Sequence, residues 1–182
     1  MEEYAFVLDH LAQGTVDSKR IRREPVTFAL GESEFKLLEL TPKDNITMGI
    51  GDRVYIGKDP ALRDKILHVK RRISWTDLTT AAQNEVPYLL ETIVKRDEIR
   101  FVKFFNEAEP VSTRFHTLEL IPGLGKKTMW AVVEERKKRP FETLASIGDR
   151  VAGIRDPAKL IAKRIQLELS DPQEKYRLFV AR

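Results

Sequence analysis

The chain has 182 residues, 42% hydrophobic and 33% charged, enough for one generous domain or two small ones with a real core, which argues against disorder throughout. It contains no cysteine, so disulfide frameworks, thiolate zinc sites and cysteine nucleophiles are excluded. No window approaches the roughly 18 consecutive apolar residues of a membrane span, and Met1-Glu2-Glu3 is unlike a signal peptide, so a cytoplasmic protein without a membrane partner is expected.

The first third reads as strands, because short apolar, β-branched and aromatic runs alternate with turn residues. The runs are Tyr4 to Leu8, Val26 to Leu30, Phe35 to Thr41, Arg53 to Ile56 and Lys65 to Ile73. Gly31 to Glu34 closes a hairpin between the second and third, and Pro42 stops the third because proline cannot donate to a ladder. Five such strands suit a small barrel of the OB type, in which loops and one face bind oligonucleotides; other small barrels fit nearly as well. Phe6 and Phe28 are assigned to its core.

Basic residues outside the core mark candidate contacts. Lys19, Arg20, Arg22 and Arg23 stand where an OB-type barrel carries a binding loop, able either to clamp a single strand or only to solubilise the surface. In the fourth strand, alternation places Val54 and Ile56 on one face and Arg53 and Tyr55 on the other, a cation and stacking platform if the apolar pair points inward. Lys70, Arg71 and Arg72 form a similar group at the end of the fifth strand.

From Ser74 the period becomes helical. A helix opens at Thr79, and Val86-Pro87 restarts it with Leu89, Leu90, Ile93 and Val94 inward; Asp97 caps another that buries Phe101, Val102 and Phe105. The sequence thus divides into a barrel over 1–73, a helical connector over 74–110 and an all-α tandem helix-hairpin-helix domain over 111–182, an α+β chain overall. Charge follows this division. Residues 1–59 hold 8 basic and 11 acidic side chains, whereas 111–182 hold 15 basic and 9 acidic, so an anionic partner is drawn to the last segment.

The informative stretch is Ile121-Pro122-Gly123-Leu124-Gly125-Lys126-Lys127-Thr128. A helix capped by Ser112 or Thr113 must end before Pro122, which disfavours helical geometry in the preceding residue, and a second begins at Lys126 with Met129, Trp130, Val132 and Val133 available to pack back on it. Between them Gly123 and Gly125 let the backbone turn and approach a ligand, and Leu124 pins the loop to the core. Orphan amides and the dipole of the second helix favour an anion, and Lys126 and Lys127 add charge at the same place. Nothing here reads a base edge, so the site positions a phosphate backbone without specifying sequence.

A weaker second copy comes next along the chain. A short helix over Phe141 to Ser146, a connection through Ile147 to Gly153, and an Asp156-Pro157 start open a helix through Leu160, Ile161, Ile165 and Leu169. Lacking the two-glycine loop, this copy is expected to be mainly structural, with Arg150, Lys163 and Arg164 as secondary contacts. The run Arg136 to Arg139 is either a solvated helix end or a further phosphate contact.

The string Glu119 to Lys127, with Met129-Trp130, Glu134 to Lys137, Gly51 to Gly57, Leu89-Leu90 and Pro140 to Pro157, resembles a family of archaeal proteins of unknown function for which RNA binding is predicted. The resemblance covers nearly the whole chain. It implies an OB-related barrel followed by a helix-hairpin-helix domain, favours RNA over DNA, and supplies no established activity.

Catalytic signals are sparse. His10, His68 and His116 lie in separate elements without partners at metal spacing, and no nucleophile elbow or P-loop occurs. The expected function is therefore non-catalytic binding of nucleic acid, with no cofactor. The alternatives are a protein scaffold among ribosomal or transcription-related proteins and a metal-dependent nuclease whose carboxylates converge only in the fold.

Overall fold

A computed structural model describes residues 1–17, 20–21 and 24–181. The sheet builds where the sequence places turns. Strands β1 (Tyr4–Leu11), β2 (Val16–Asp17), β3 (Arg20–Ile21), β4 (Val26–Gly31), β5 (Leu37–Pro42), β6 (Arg53–Tyr55) and β7 (Ile66–Arg72) precede the first α-helix. Five of them form one antiparallel, curled sheet in the order β6-β1-β4-β5-β7, with β2 and β3 a separate pair. Among the described residues no ladder joins the edge strands β6 and β7, so the sheet is a half-barrel.

Register sets the core. Ala5, Val7, Ala29, Leu38, Leu40, Val54 and Ile66 share one packed cluster, and cross-strand pairs such as Val7 with Ala29 and Ala29 with Leu38 align them. All six residues of β4 are buried, including Phe28 and Leu30 on the opposite face. A sheet covered on both sides loses the polar alternation of a half-exposed one. A bulge at Leu8 interrupts β1, where Gly51, at φ +85°, lets its amide reach the Val7 carbonyl at 2.8 Å while the Val7 amide donates to Asp52.

Two buried carboxylates fix irregular backbone. Glu2 accepts from the amides of Ser33, Glu34 and Lys36 across the β4–β5 turn, and from the Ser33 hydroxyl. A Cβ on Gly31 would stand 2.1 Å from Glu2 Oε1, so only glycine admits that carboxylate. Glu168 accepts from the amides of Leu178, Phe179 and Val180 at 2.8, 3.1 and 2.9 Å, which secures a C-terminal segment that is neither strand nor helix.

The helices are α1 (Thr80–Arg96), α2 (Glu98–Glu107), α3 (Lys126–Lys138), α4 (Leu144–Arg150) and α5 (Pro157–Ser170). Contacts divide the chain into one unit of residues 1–89 with 168–182 and another of 90–167, so the boundaries fall inside α1 and α5. The helix expected to restart at Pro87 instead runs through it: buried Ala82, Val86, Leu89, Leu90, Ile93 and Val94 hold one stripe on both sides of the proline.

The helix expected from Ser112 does not form. Residues Pro110–Ser112 (β8) and Phe115–His116 (β9) make a short hairpin, and a single 3-10 turn over Thr117–Leu120 succeeds it, so the C-terminal segment is not all-α. The turn is set by His116, whose Nδ1 accepts the Leu118 amide while Glu119 accepts the His116 amide. The helix expected over Phe141 to Ser146 also moves: α4 begins after Thr143, which exchanges a capping box with Ser146, and takes in Ile147 to Arg150.

Two consequences are measurable. Glu168→Ala leaves three amides without their acceptor, and we expect it to cost about 2–4 kcal/mol in urea unfolding, with exchange protection lost at Leu178 to Val180; unchanged protection there would show that the carboxylate does not hold the segment. Burial of Glu39 alone would raise its pKa, but Lys70 and Arg71 at 3.1 and 2.7 Å bring it below the ordinary carboxylate range. Its contribution is therefore complete above the unfolded value of about 4.3 and is lost as pH falls through the lower folded value. In Glu39→Gln the acid limb of a stability-against-pH curve should be shallower than in the unaltered protein.

Candidate functional site

The motif at 121–128 forms a tight turn that leads into α3. The Leu124 amide donates to the Ile121 carbonyl at 3.0 Å, Gly123 sits at φ +91°, and Ile121 and Leu124 are both buried. Positive φ at the third position of such a turn is the conformation that calls for glycine. Thirty residues on, Val151 to Ile154 repeat the arrangement: Ile154 donates to Val151 at 3.2 Å, Gly153 is at φ +96°, and Val151 and Ile154 are buried. The two turns pack reciprocally. A Cβ on Gly123 would lie 3.5 Å from Leu160 of α5, and one on Gly153 would lie 3.1 Å from Thr128 of α3.

The two turns lead into helix starts of different chemistry. Asp156 accepts the Lys159 amide at 3.1 Å, and Pro157 removes one further donor, so the start of α5 is closed by its own residues. At α3 the cap is Gly125, which offers no side-chain acceptor, and no acidic residue lies in the first turn. Gly125 has φ −81° and ψ 178°, open to any residue, and a Cβ built there meets nothing within 4 Å. Neither the backbone nor the packing of Gly125 requires glycine.

Gly123, Gly125, Lys126 and Lys127 are exposed, Thr128 is half-buried against the second turn, and Leu124 is the buried anchor expected of it. Among the described residues neither Lys126 nor Lys127 has a carboxylate partner. Most cations of the neighbouring run are engaged elsewhere. Arg136 donates to the Phe105 and Ala108 carbonyls at the end of α2, and Lys137 and Lys138 pair with Glu134 and Glu135. Arg150 donates to the Glu135 and Arg139 carbonyls, and buried Arg164 reaches the Leu120 carbonyl. Lys163 is exposed.

The barrel-side candidates are spread apart. Val54 and Ile56 point inward and Arg53 is on the outer face, but its guanidinium grips Glu32 in a fork at 2.7 to 3.2 Å and lies 3.4 Å over the Tyr4 ring. The bond to Glu32 raises the Arg53 pKa further. Tyr55 packs edge-on against Tyr4 at 5.3 Å, its ring end filling the place where a Cβ of Gly57 would stand. Lys70 and Arg71 are held by Glu39, and Arg72 donates to the Ala181 carbonyl. Of the basic loop, Lys19, Arg22 and Arg23 lie outside the described residues, and Arg20 is placed by its backbone in β3.

His10 bonds Thr27, His68 bonds Thr41, and His116 serves the 3-10 turn, with burial and the Arg136 charge lowering its pKa. Among the described residues no three His, Asp or Glu side chains converge as a metal site, and no helix is long and apolar enough to cross a membrane. The residue missed by motif reading is Arg114, exposed in the β8–β9 turn; only the fold brings it near Lys126.

A family model of proteins of unknown function, DUF655, matches residues 1–181. The uncharacterized protein MJ0038 of Methanocaldococcus jannaschii is 47% identical over 180 residues, covering 98% of this chain and 80% of that one. The crystal structure of Af1531 from Archaeoglobus fulgidus, of the same family, superimposes with a TM-score of 0.90 at 50% identity, covering 99% of this chain and 100% of that one. This chain therefore belongs to the DUF655 family, with archaeal relatives along its length.

Proposed function

We propose that the chain is a non-catalytic nucleic-acid-binding protein that holds backbone phosphate at the start of α3. The observation that carries this reading is the contrast between two similar turns. One helix start is closed by Asp156 and Pro157; the other has Gly125, two lysines without a carboxylate partner among the described residues, and an empty space where a Cβ would be. The amides at the start of α3 face outward at the positive end of a helix, which is the chemistry of an anion site. A polymeric phosphate is favoured over a small anion because residues 111–167 hold 12 basic against 6 acidic side chains, an excess spread over both turns and their helices.

On this reading the two turns with their helices form a tandem helix-hairpin-helix. The leading helix of the first unit is reduced to the 3-10 turn at Thr117–Leu120, and the second unit braces the first. The five-stranded half-barrel is read as OB-like, and Lys19, Arg20, Arg22 and Arg23 as auxiliary contacts. RNA is the favoured polymer on family resemblance, since amide and ammonium donors serve RNA and DNA phosphates alike.

Substitutions separate site from scaffold. Gly125→Ala should change stability by less than about 1 kcal/mol, because its φ and ψ suit alanine and the unfolded chain loses freedom while alanine is the poorer cap, and single-stranded RNA affinity should fall several-fold. Gly123→Ala should instead cost about 1–2 kcal/mol of stability through its positive φ. Lys126→Glu with Lys127→Glu places acids in a first helical turn, which favours the helix, so lost binding cannot be blamed on unfolding. Anisotropy titrations at several salt concentrations should show log affinity falling by roughly 0.7 per log salt for each neutralised phosphate of a single strand. Salt-independent binding, or full affinity in the double variant, would move the function to protein docking; RNA cleaved on adding magnesium or manganese would make it a nuclease.

A further inference from the structure

A groove of about 580 Å³ opens beside the start of α3, lined by the β8–β9 hairpin on one side and α3 on the other. Its walls include Arg114, Phe115, His116, Glu119, Lys126 and Trp130. Trp130 is 56% exposed on a helix whose other large apolar residues are buried, and among the described residues it makes no hydrogen bond or ring contact. In the lining of a groove, such an indole offers a flat face on which a planar ring can stack.

Cations outnumber acids in the lining of the groove. Arg114 and Lys126 have no carboxylate partner among the described residues. Glu119, the acid in the lining, is turned to the His116 amide at 2.8 Å. His116 accepts the Leu118 amide at Nδ1, so its neutral ring carries the proton on Nε2, a donor rather than a charge. Two cations, an indole and a histidine ring thus line one groove that includes Lys126, the first residue of α3.

We infer that this groove takes an unpaired nucleobase of a single-stranded nucleic acid, stacked on Trp130, while its neighbouring phosphate sits at the start of α3. The inference rests on the phosphate reading above and narrows it to strands with accessible bases. Bases in a duplex are stacked on one another and present only their edges, whereas bases in loops and single strands can turn out onto an aromatic side chain. Stacking does not discriminate among bases, so the site selects strandedness rather than sequence.

The test uses the full chain and three fluorescein-labelled probes: a short single-stranded RNA, the same RNA annealed to its complement, and an abasic sugar-phosphate oligomer of equal length. Trp130→Ala should weaken the single strand about tenfold, within the range of one lost stacking contact, and leave the abasic oligomer unchanged. Trp130→Phe should restore most of the loss. With two tryptophans in the chain, Trp75→Phe leaves Trp130 as the sole indole, and its emission should be quenched by the RNA but not by the abasic oligomer. Full affinity of Trp130→Ala for the single strand, or equal weakening towards all three probes, would overturn the stacking site while the phosphate site stands. Full affinity of the Lys126→Glu, Lys127→Glu variant for both the single strand and the abasic oligomer would overturn the phosphate reading instead, and failure of the unaltered protein to bind any probe would overturn both.

Discussion

Every helix starts with amides that its own carbonyls cannot reach, and the groups that accept them govern the chemistry of this chain. Thr79 accepts the Ala82 amide at the start of α1, Thr143 and Glu98 accept at α4, and Asp156 accepts at α5. At α2 no side-chain cap bond forms, but the cap residue Asp97 and Glu98 in the first turn supply negative charge. Among the described helices only α3 begins with a glycine cap, no acid and two lysines. The same demand explains the buried acids elsewhere: Glu2 and Glu168 each collect amides from irregular backbone that no strand or helix would satisfy.

Local chemistry made much of this legible in the sequence. Glycine and proline punctuate the strands, so all five sheet strands are read to within a few residues, and Gly123 with Leu124 dictates the turn they form. Where short-range patterns compete, the reading fails. Ser112 and Thr113 suit a helix cap, but Pro110, Val111 and Phe115 favour extended backbone, and the His116–Glu119 exchange then spends the next residues on a 3-10 turn. Pro87 reads as a break, yet apolar residues at helical spacing continue across it and prevail.

Partners distant in sequence were not legible at all. Arg53 reads as an exposed cation because nothing nearby reveals that Glu32, 21 residues away, will close a fork around it. Glu39 draws in Lys70 and Arg71 in the same way, and Arg136 reads as a surface charge although it caps α2 from 28 to 31 residues away. Arg114 is the reverse case. It lies in a stretch with no motif, and only the β8–β9 turn carries it to the groove beside Lys126.

Cation pairing therefore discriminates where net charge cannot. A cation already forked to a carboxylate or spent on helix-end carbonyls must break those bonds to meet a phosphate, and its attraction for one is largely neutralised. Such engagement removes Arg53, Lys70, Arg71, Arg136 and Arg150 from the first rank of contacts and leaves Lys126, Lys127 and Arg114 around one helix start. On the proposed reading a footprint this small would grip about one or two phosphates, which limits what the C-terminal turns could contribute alone. Binding of useful strength then needs either a base in the adjoining groove or further cations supplied from other parts of the chain, and these two sources differ in kind: stacking is largely insensitive to salt, whereas each added phosphate contact steepens the salt dependence.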